Sequence, residues 1–185
     1  MILAGGDSFI FGSELTDCLD GRATSYSHNT FTALLASGKY ICAAYPGYSN
    51  FEIANSLKRT LKQIHVIPFI IVCWTWPNRD QLHTSPKVIK DFQYYCEYHK
   101  FPYMFTCADN CLIELLDVNM NMNNWYLFPP GDSSPDQTST PRGFYQWAVE
   151  NKYTCGVQHH PLEEAHQDAA NLMREKFNEL AIKFL

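Results

Sequence analysis

Short apolar runs rich in β-favouring residues alternate along this chain with segments whose apolar residues recur every three or four positions. That alternation restricts the fold to a mostly parallel sheet covered by helices on both faces. The strand candidates are residues 1–4, 40–44, 66–74 and 102–107. Between the second and third, Ser49-Asn50 reads as a helix cap, followed by Phe51, Ile53, Ala54, Leu57, Leu61 and Ile64 on a core-facing stripe. Ser85-Pro86 opens a second helix running to about Lys100, and Asn110 caps a third through Leu112, Ile113, Leu115 and Leu116. A closing helix from about Leu162 to Phe184 carries Leu162, Ala165, Ala169, Leu172, Met173, Leu180 and Phe184 on one face. The class expected is α/β, each strand being followed by a helix.

Residues 129–142 are punctuated by prolines and small polar residues that defeat both helix and strand, so they read as a loop or lid. With no internal repeat and no shift of composition, the 185 residues read as one domain, 1–185. A hydrophobic fraction of 46% against 18% charged residues describes a packed globular chain rather than a disordered one. A formal charge of −5 without clustered Lys and Arg argues against nucleic acid as the partner. Seven cysteines, an odd number with no C-x-x-C pair, read as reduced and mostly buried thiols. The chain enters an apolar strand at residue 2 without a basic region or cleavage site, and it has no run of about 18 apolar residues to span a bilayer. The expected location is therefore cytoplasmic.

The chemistry concentrates at the two ends of the chain. Gly5-Gly6-Asp7-Ser8-Phe9 follows the first strand, and in open α/β sheets ligands collect at the carboxyl ends of strands. A serine hydroxyl attacks a carbonyl only when a base takes its proton and donors receive the charge that develops on oxygen. The candidate base is His159 or His160, and the Pro161 that follows, just ahead of the last helix, favours His160. Candidate donors are the backbone N–H groups of Ser8 and of Gly47, which follows the second strand. Asp7 reads as a turn residue accepting backbone hydrogen bonds. Arg79, past the third strand, reads as an anion or acyl-group contact or as an ion-pair partner of Asp80 or Asp7.

Gly6-Asp7-Ser8-Phe9, the Gly47 after the second strand, a polar cluster after the third and His160-Pro161 before the final helix together resemble the SGNH (GDSL-type) hydrolases. The order and spacing cover nearly the whole chain. The resemblance implies a three-layer α/β/α, flavodoxin-like fold with a central parallel sheet, no cofactor, and hydrolysis of acyl esters on carbohydrates, lipids or small molecules. It implies Ser8 as nucleophile, His160 as base, the Ser8 and Gly47 amides as an oxyanion hole, and Asn50 as a neighbour. The family's Gly-x-Asn-Asp block is replaced here by Thr75-Trp76-Pro77-Asn78-Arg79-Asp80, with Thr75 near the Gly position and Asn78 displaced. Where the family places an Asp three residues before the histidine, this chain has Val157. That leaves a Ser-His dyad, or a backbone carbonyl, Glu163 or Glu164 as the partner of the imidazole.

The His-Pro-Leu-Glu-Glu-Ala-His and Trp-Thr-Trp-Pro-Asn-Arg stretches look most similar to a branch of such proteins common in bacteriophages. The main expectation is an esterase or deacetylase acting through an acyl-enzyme at Ser8. The competing one is a noncatalytic structural or binding module of a phage particle, associated with a virion or a homo-oligomer. A metal site built from His159, His160, His166, Glu163 and Glu164 is disfavoured because no H-E-x-x-H spacing occurs, and none is expected.

Overall fold

The computed structural model describes residues 1–18, 25–80, 84–116, 120–133 and 140–183. Its centre is a sheet of four strands, β1 (Ile2–Gly5), β2 (Tyr40–Cys42), β3 (Phe69–Trp74) and β4 (Tyr103–Cys107), in the order β2-β1-β3-β4. All three pairings are parallel, with Leu3 opposite Ile41 on one side and Ile70 on the other, and Ile71 opposite Met104. The order places strand 1 between strands 2 and 3, which is the flavodoxin-like doubly wound arrangement.

Strand residues alternate between two cores. Ile2, Ala4, Phe69, Ile71, Cys73 and Met104 face one layer. That layer holds α2 (Phe31–Leu34), α6 (Phe144–Glu150) and α7 (Glu163–Ile182). Leu3, Ile70, Val72, Trp74, Tyr103, Phe105 and Cys107 face the other, where α3 (Asn50–Leu61) and α4 (Ser85–Tyr98) lie. Both faces are thus buried, as the near-continuous apolar strands require. Gly5 permits a close approach of α3 to the sheet: a Cβ there would stand 2.5 Å from the Leu57 side chain.

Ser49 caps α3 through a reciprocal capping box with Glu52, as its position ahead of the amphipathic stripe predicts. The third expected helix is only α5 (Asn110–Ile113), and its cap is Asp109 rather than Asn110. Asn110 instead turns its side-chain oxygen to the Gly143 amide, 2.7 Å away. The four-residue helix α1 (Ser8–Phe11), α2 and α6 were not legible as helices, being too short to show a periodic stripe. In the 129–142 segment, Phe128 and Arg142 pair as an antiparallel bridge, and the Arg142 guanidinium meets Glu150 at 2.8 Å. Residues 134–139, expected as a loop or lid, and Phe184 lie outside the described residues. Among the described residues, no helix is long and apolar enough to cross a membrane, and all seven cysteines are free thiols.

Candidate active site

Strand β1 ends in Gly5, and the chain turns through Gly6-Asp7 directly into α1, so Ser8 is the first residue of a helical turn rather than part of an irregular loop. Asp7 fixes that turn. Its carboxylate is fully buried and accepts from the Phe9 amide at 3.1 Å, the Thr75 hydroxyl at 2.6 Å and Arg79 Nη1 at 2.9 Å. Helix α1 stops at Gly12, whose φ of 81° is the left-handed value a C-cap glycine supplies. The chain then folds back so that Glu14, with φ 71°, lies beside Ser8.

The histidine arrives from the other end of the chain. Residues 154–162 form a tight hairpin closed by Leu162 N–H to the Thr154 carbonyl at 3.0 Å and Gly156 N–H to the His160 carbonyl at 2.8 Å. This hairpin feeds α7 and carries His160 over the end of β1. His160 Nε2 stands 2.9 Å from Ser8 Oγ, and Nδ1 stands 2.8 Å from Glu14 Oε2. An imidazole held this way can take the hydroxyl proton at Nε2 while the carboxylate orients Nδ1–H and stabilises the imidazolium. The Phe9 ring meets the His160 ring edge-on, with centroids 5.4 Å apart, and limits its rotation.

Glu14 is the residue that reading the sequence missed. Its carboxylate also accepts from the Gln158 amide at 3.0 Å, and a Cβ on Gly156 would stand 2.6 Å from it. Burial pushes its carboxyl up, but hydrogen bonds from the Gln158 amide and from the ring and amide of His160 outweigh this, and the net shift is downward. Glu14 therefore stays ionised beside the imidazole. The available signal was a lone carboxylate in Phe9–Leu15, an otherwise apolar and small-residue stretch, six positions after Ser8. Neither Glu163 nor Glu164 takes this position. Glu163 accepts from the Thr16 amide at 2.6 Å, and the two glutamates line a separate groove with Asn29, Leu34 and Gln167.

A cavity of about 370 Å³ opens over Ser8, lined by Ser13, Glu14, Pro46, Gly47, Arg79, Gln158 and His160. Gly47 has φ 83° and nothing within 4 Å of where a Cβ would be, so its backbone faces open space. The other expected contacts lie elsewhere. Asn50 is buried and acts as a staple, its side chain accepting from the Thr75 amide at 2.8 Å and donating to the Thr75 carbonyl at 3.1 Å and the Ser85 hydroxyl at 3.0 Å. The Thr75 hydroxyl is committed to Asp7, and Asn78 is exposed outside the cavity. His159 is exposed with φ 63°, at the bend of the hairpin. His166, in the first turn of α7, is buried, and its Nδ1 accepts from the Phe31 amide at 3.2 Å.

The chain is thus a doubly wound three-layer α/β sandwich with a hydroxyl, an imidazole and a carboxylate in line at the carboxyl end of its first strand. Among solved structures, the chain is similar to the psychrotrophic esterase EstA from Pseudoalteromonas sp., in a structure inhibited by monoethylphosphonate. The TM-score is 0.59 and the sequences are 11% identical, with 99% of this chain and 97% of that chain covered. At that identity the likeness is one of fold. No protein-family model and no curated protein matches the sequence.

Proposed function

We propose that this protein is a serine hydrolase that cleaves acyl esters, with Ser8 as nucleophile, His160 as general base and Glu14 as the carboxylate that orients the base. The observation that carries the reading is the unbroken chain from Ser8 Oγ through His160 Nε2 and Nδ1 to Glu14 Oε2, at 2.9 and 2.8 Å. In the first step Ser8 Oγ bonds to the carbonyl carbon, its proton passes to His160 Nε2, and the carbonyl electron pair moves onto oxygen. The Ser8 and Gly47 amides are the backbone donors for that oxyanion, and no described residue accepts a hydrogen bond from either. Collapse expels the alcohol, which takes the proton from His160, and water repeats the sequence on the acyl-enzyme.

The fold-level likeness to an esterase supports the reaction class. A 370 Å³ cavity with a broad mouth fits a small acyl group with the alcohol left outside, whether a simple alcohol or a sugar. The test is hydrolysis of short-chain p-nitrophenyl esters and of acetylated sugars by the wild type and Ser8→Ala. Turnover that Ser8→Ala reduces by at least about 10³-fold supports the reading. Turnover unaffected by Ser8→Ala, or none on any ester, contradicts it.

A further inference from the structure

Of Asn50, Thr75 and Asn78, none offers the cavity a side-chain donor, and among the described residues Gln158 is the side-chain amide that lines it. The Asn50 amide is spent on Thr75 and Ser85, the Thr75 hydroxyl on Asp7, and Asn78 lies outside the cavity. Among the described residues, Arg79 is the guanidinium that lines the cavity beside Ser8. We propose that the Arg79 guanidinium is the third oxyanion donor, doing with a charged fork what an asparagine amide would otherwise do. The inference rests on the acyl-enzyme reading of Ser8.

Three contacts hold the guanidinium still. Nη1 donates to Asp7 Oδ2 at 2.9 Å and to the Tyr48 carbonyl at 3.2 Å, and the group lies 5.3 Å from the centre of the Trp76 ring. Asp7 immediately precedes Ser8 and is itself fixed by Phe9 and Thr75, so the cation is registered to the reacting hydroxyl through one short link to a buried carboxylate. Among the described residues nothing accepts from Nη2 or Nε, and the side chain keeps 30% of its exposure. A guanidinium with one edge anchored and the other free presents donors without having to reorganise as charge builds on the carbonyl oxygen. When Ser8 Oγ adds to the carbonyl carbon, the negative charge left on oxygen is received by the Ser8 and Gly47 amides and by Arg79. No proton moves to or from the guanidinium, which stays charged throughout.

The test is a split between kcat and KM on a neutral ester, p-nitrophenyl acetate, for wild type, Arg79→Lys and Arg79→Ala, with thermal midpoints measured on the same samples. The expected result is a fall in kcat of about 10²-fold for Arg79→Ala and about tenfold for Arg79→Lys, with KM within about threefold of wild type. Millimolar guanidinium ion added to Arg79→Ala should restore part of the lost kcat and should leave Ser8→Ala unchanged. If Arg79→Ala does not fold, Arg79→Lys carries the test, because an ammonium can still pair with Asp7. Loss of kcat below threefold in Arg79→Lys and Arg79→Ala would overturn the proposal and leave the esterase reading intact. So would a rise in KM confined to esters bearing a carboxylate, which would make Arg79 an anion-recognition residue. Absence of turnover by the wild type on any ester would remove both.

Discussion

Glu14 and Asp7 show how two carboxylates seven residues apart come to different duties. Asp7 is shut inside, with a backbone amide, a hydroxyl and a guanidinium satisfying it, so its work is to hold the turn that presents Ser8. Asp7→Ala would leave the Arg79 cation without its partner and the Thr75 hydroxyl without its acceptor. Leaving a buried donor such as the Thr75 hydroxyl unsatisfied costs about 1–3 kcal/mol, which a urea midpoint would read directly. Glu14 faces the imidazole instead. Glu14→Gln keeps the shape but removes the charge that stabilises the imidazolium, and kcat for a p-nitrophenyl ester should fall by about 10²–10⁴-fold with little change in KM. A variant within threefold of wild type would reduce the site to a Ser-His dyad.

The sheet and its three large covering helices were legible because each is long enough to display its period. The run Phe69–Trp74 is apolar throughout, as a strand buried on both faces must be, and α3 repeats its stripe through Ile53, Leu57 and Leu61. Ser8 and His160 could be paired from their places at strand end and helix start. Glu14 could not, because its place beside His160 depends on a left-handed backbone at a residue that is not glycine. Nor does the sequence reveal that Asn50 and Thr75 brace one another instead of facing the cavity. The 154–162 hairpin is the element on which the carboxylate depends. Gly156→Ala places a methyl group where the Glu14 carboxylate now sits, since the clearance is 2.6 Å. We expect kcat to drop toward the Glu14→Gln level while the thermal midpoint falls by only a few degrees, checked by kinetics and calorimetry on one preparation.

Across the whole molecule, His166 links the layer of α2, α6 and α7 to pH. It is buried against Phe31 and Phe144, and burial pulls its pKa from the ordinary 6.5 to about 3, with Glu163 opposing the shift and His160 adding to it. A depressed folded pKa means that the unfolded chain binds the proton first. The stabilisation is therefore complete above about pH 6.5 and is lost as pH falls from there toward 3, at about 1.4 kcal/mol per pH unit once the unfolded histidine is protonated. Urea midpoints should decline from pH 6.5 to 4.5, before most carboxylates titrate. His166→Asn, whose side-chain oxygen can replace Nδ1 as acceptor for the Phe31 amide, should flatten that decline. The same architecture brings residues 8, 14 and 160 together at the carboxyl end of β1, and the claim that these form a working hydrolase has one direct chemical readout. After incubation with a neutral fluorophosphonate, mass spectrometry of the digested protein should find a single phosphonyl adduct on Ser8, formed far more slowly in Glu14→Gln and absent in His160→Ala. An adduct on another serine, or labelling of Ser8 at an equal rate in all three proteins, would contradict the account.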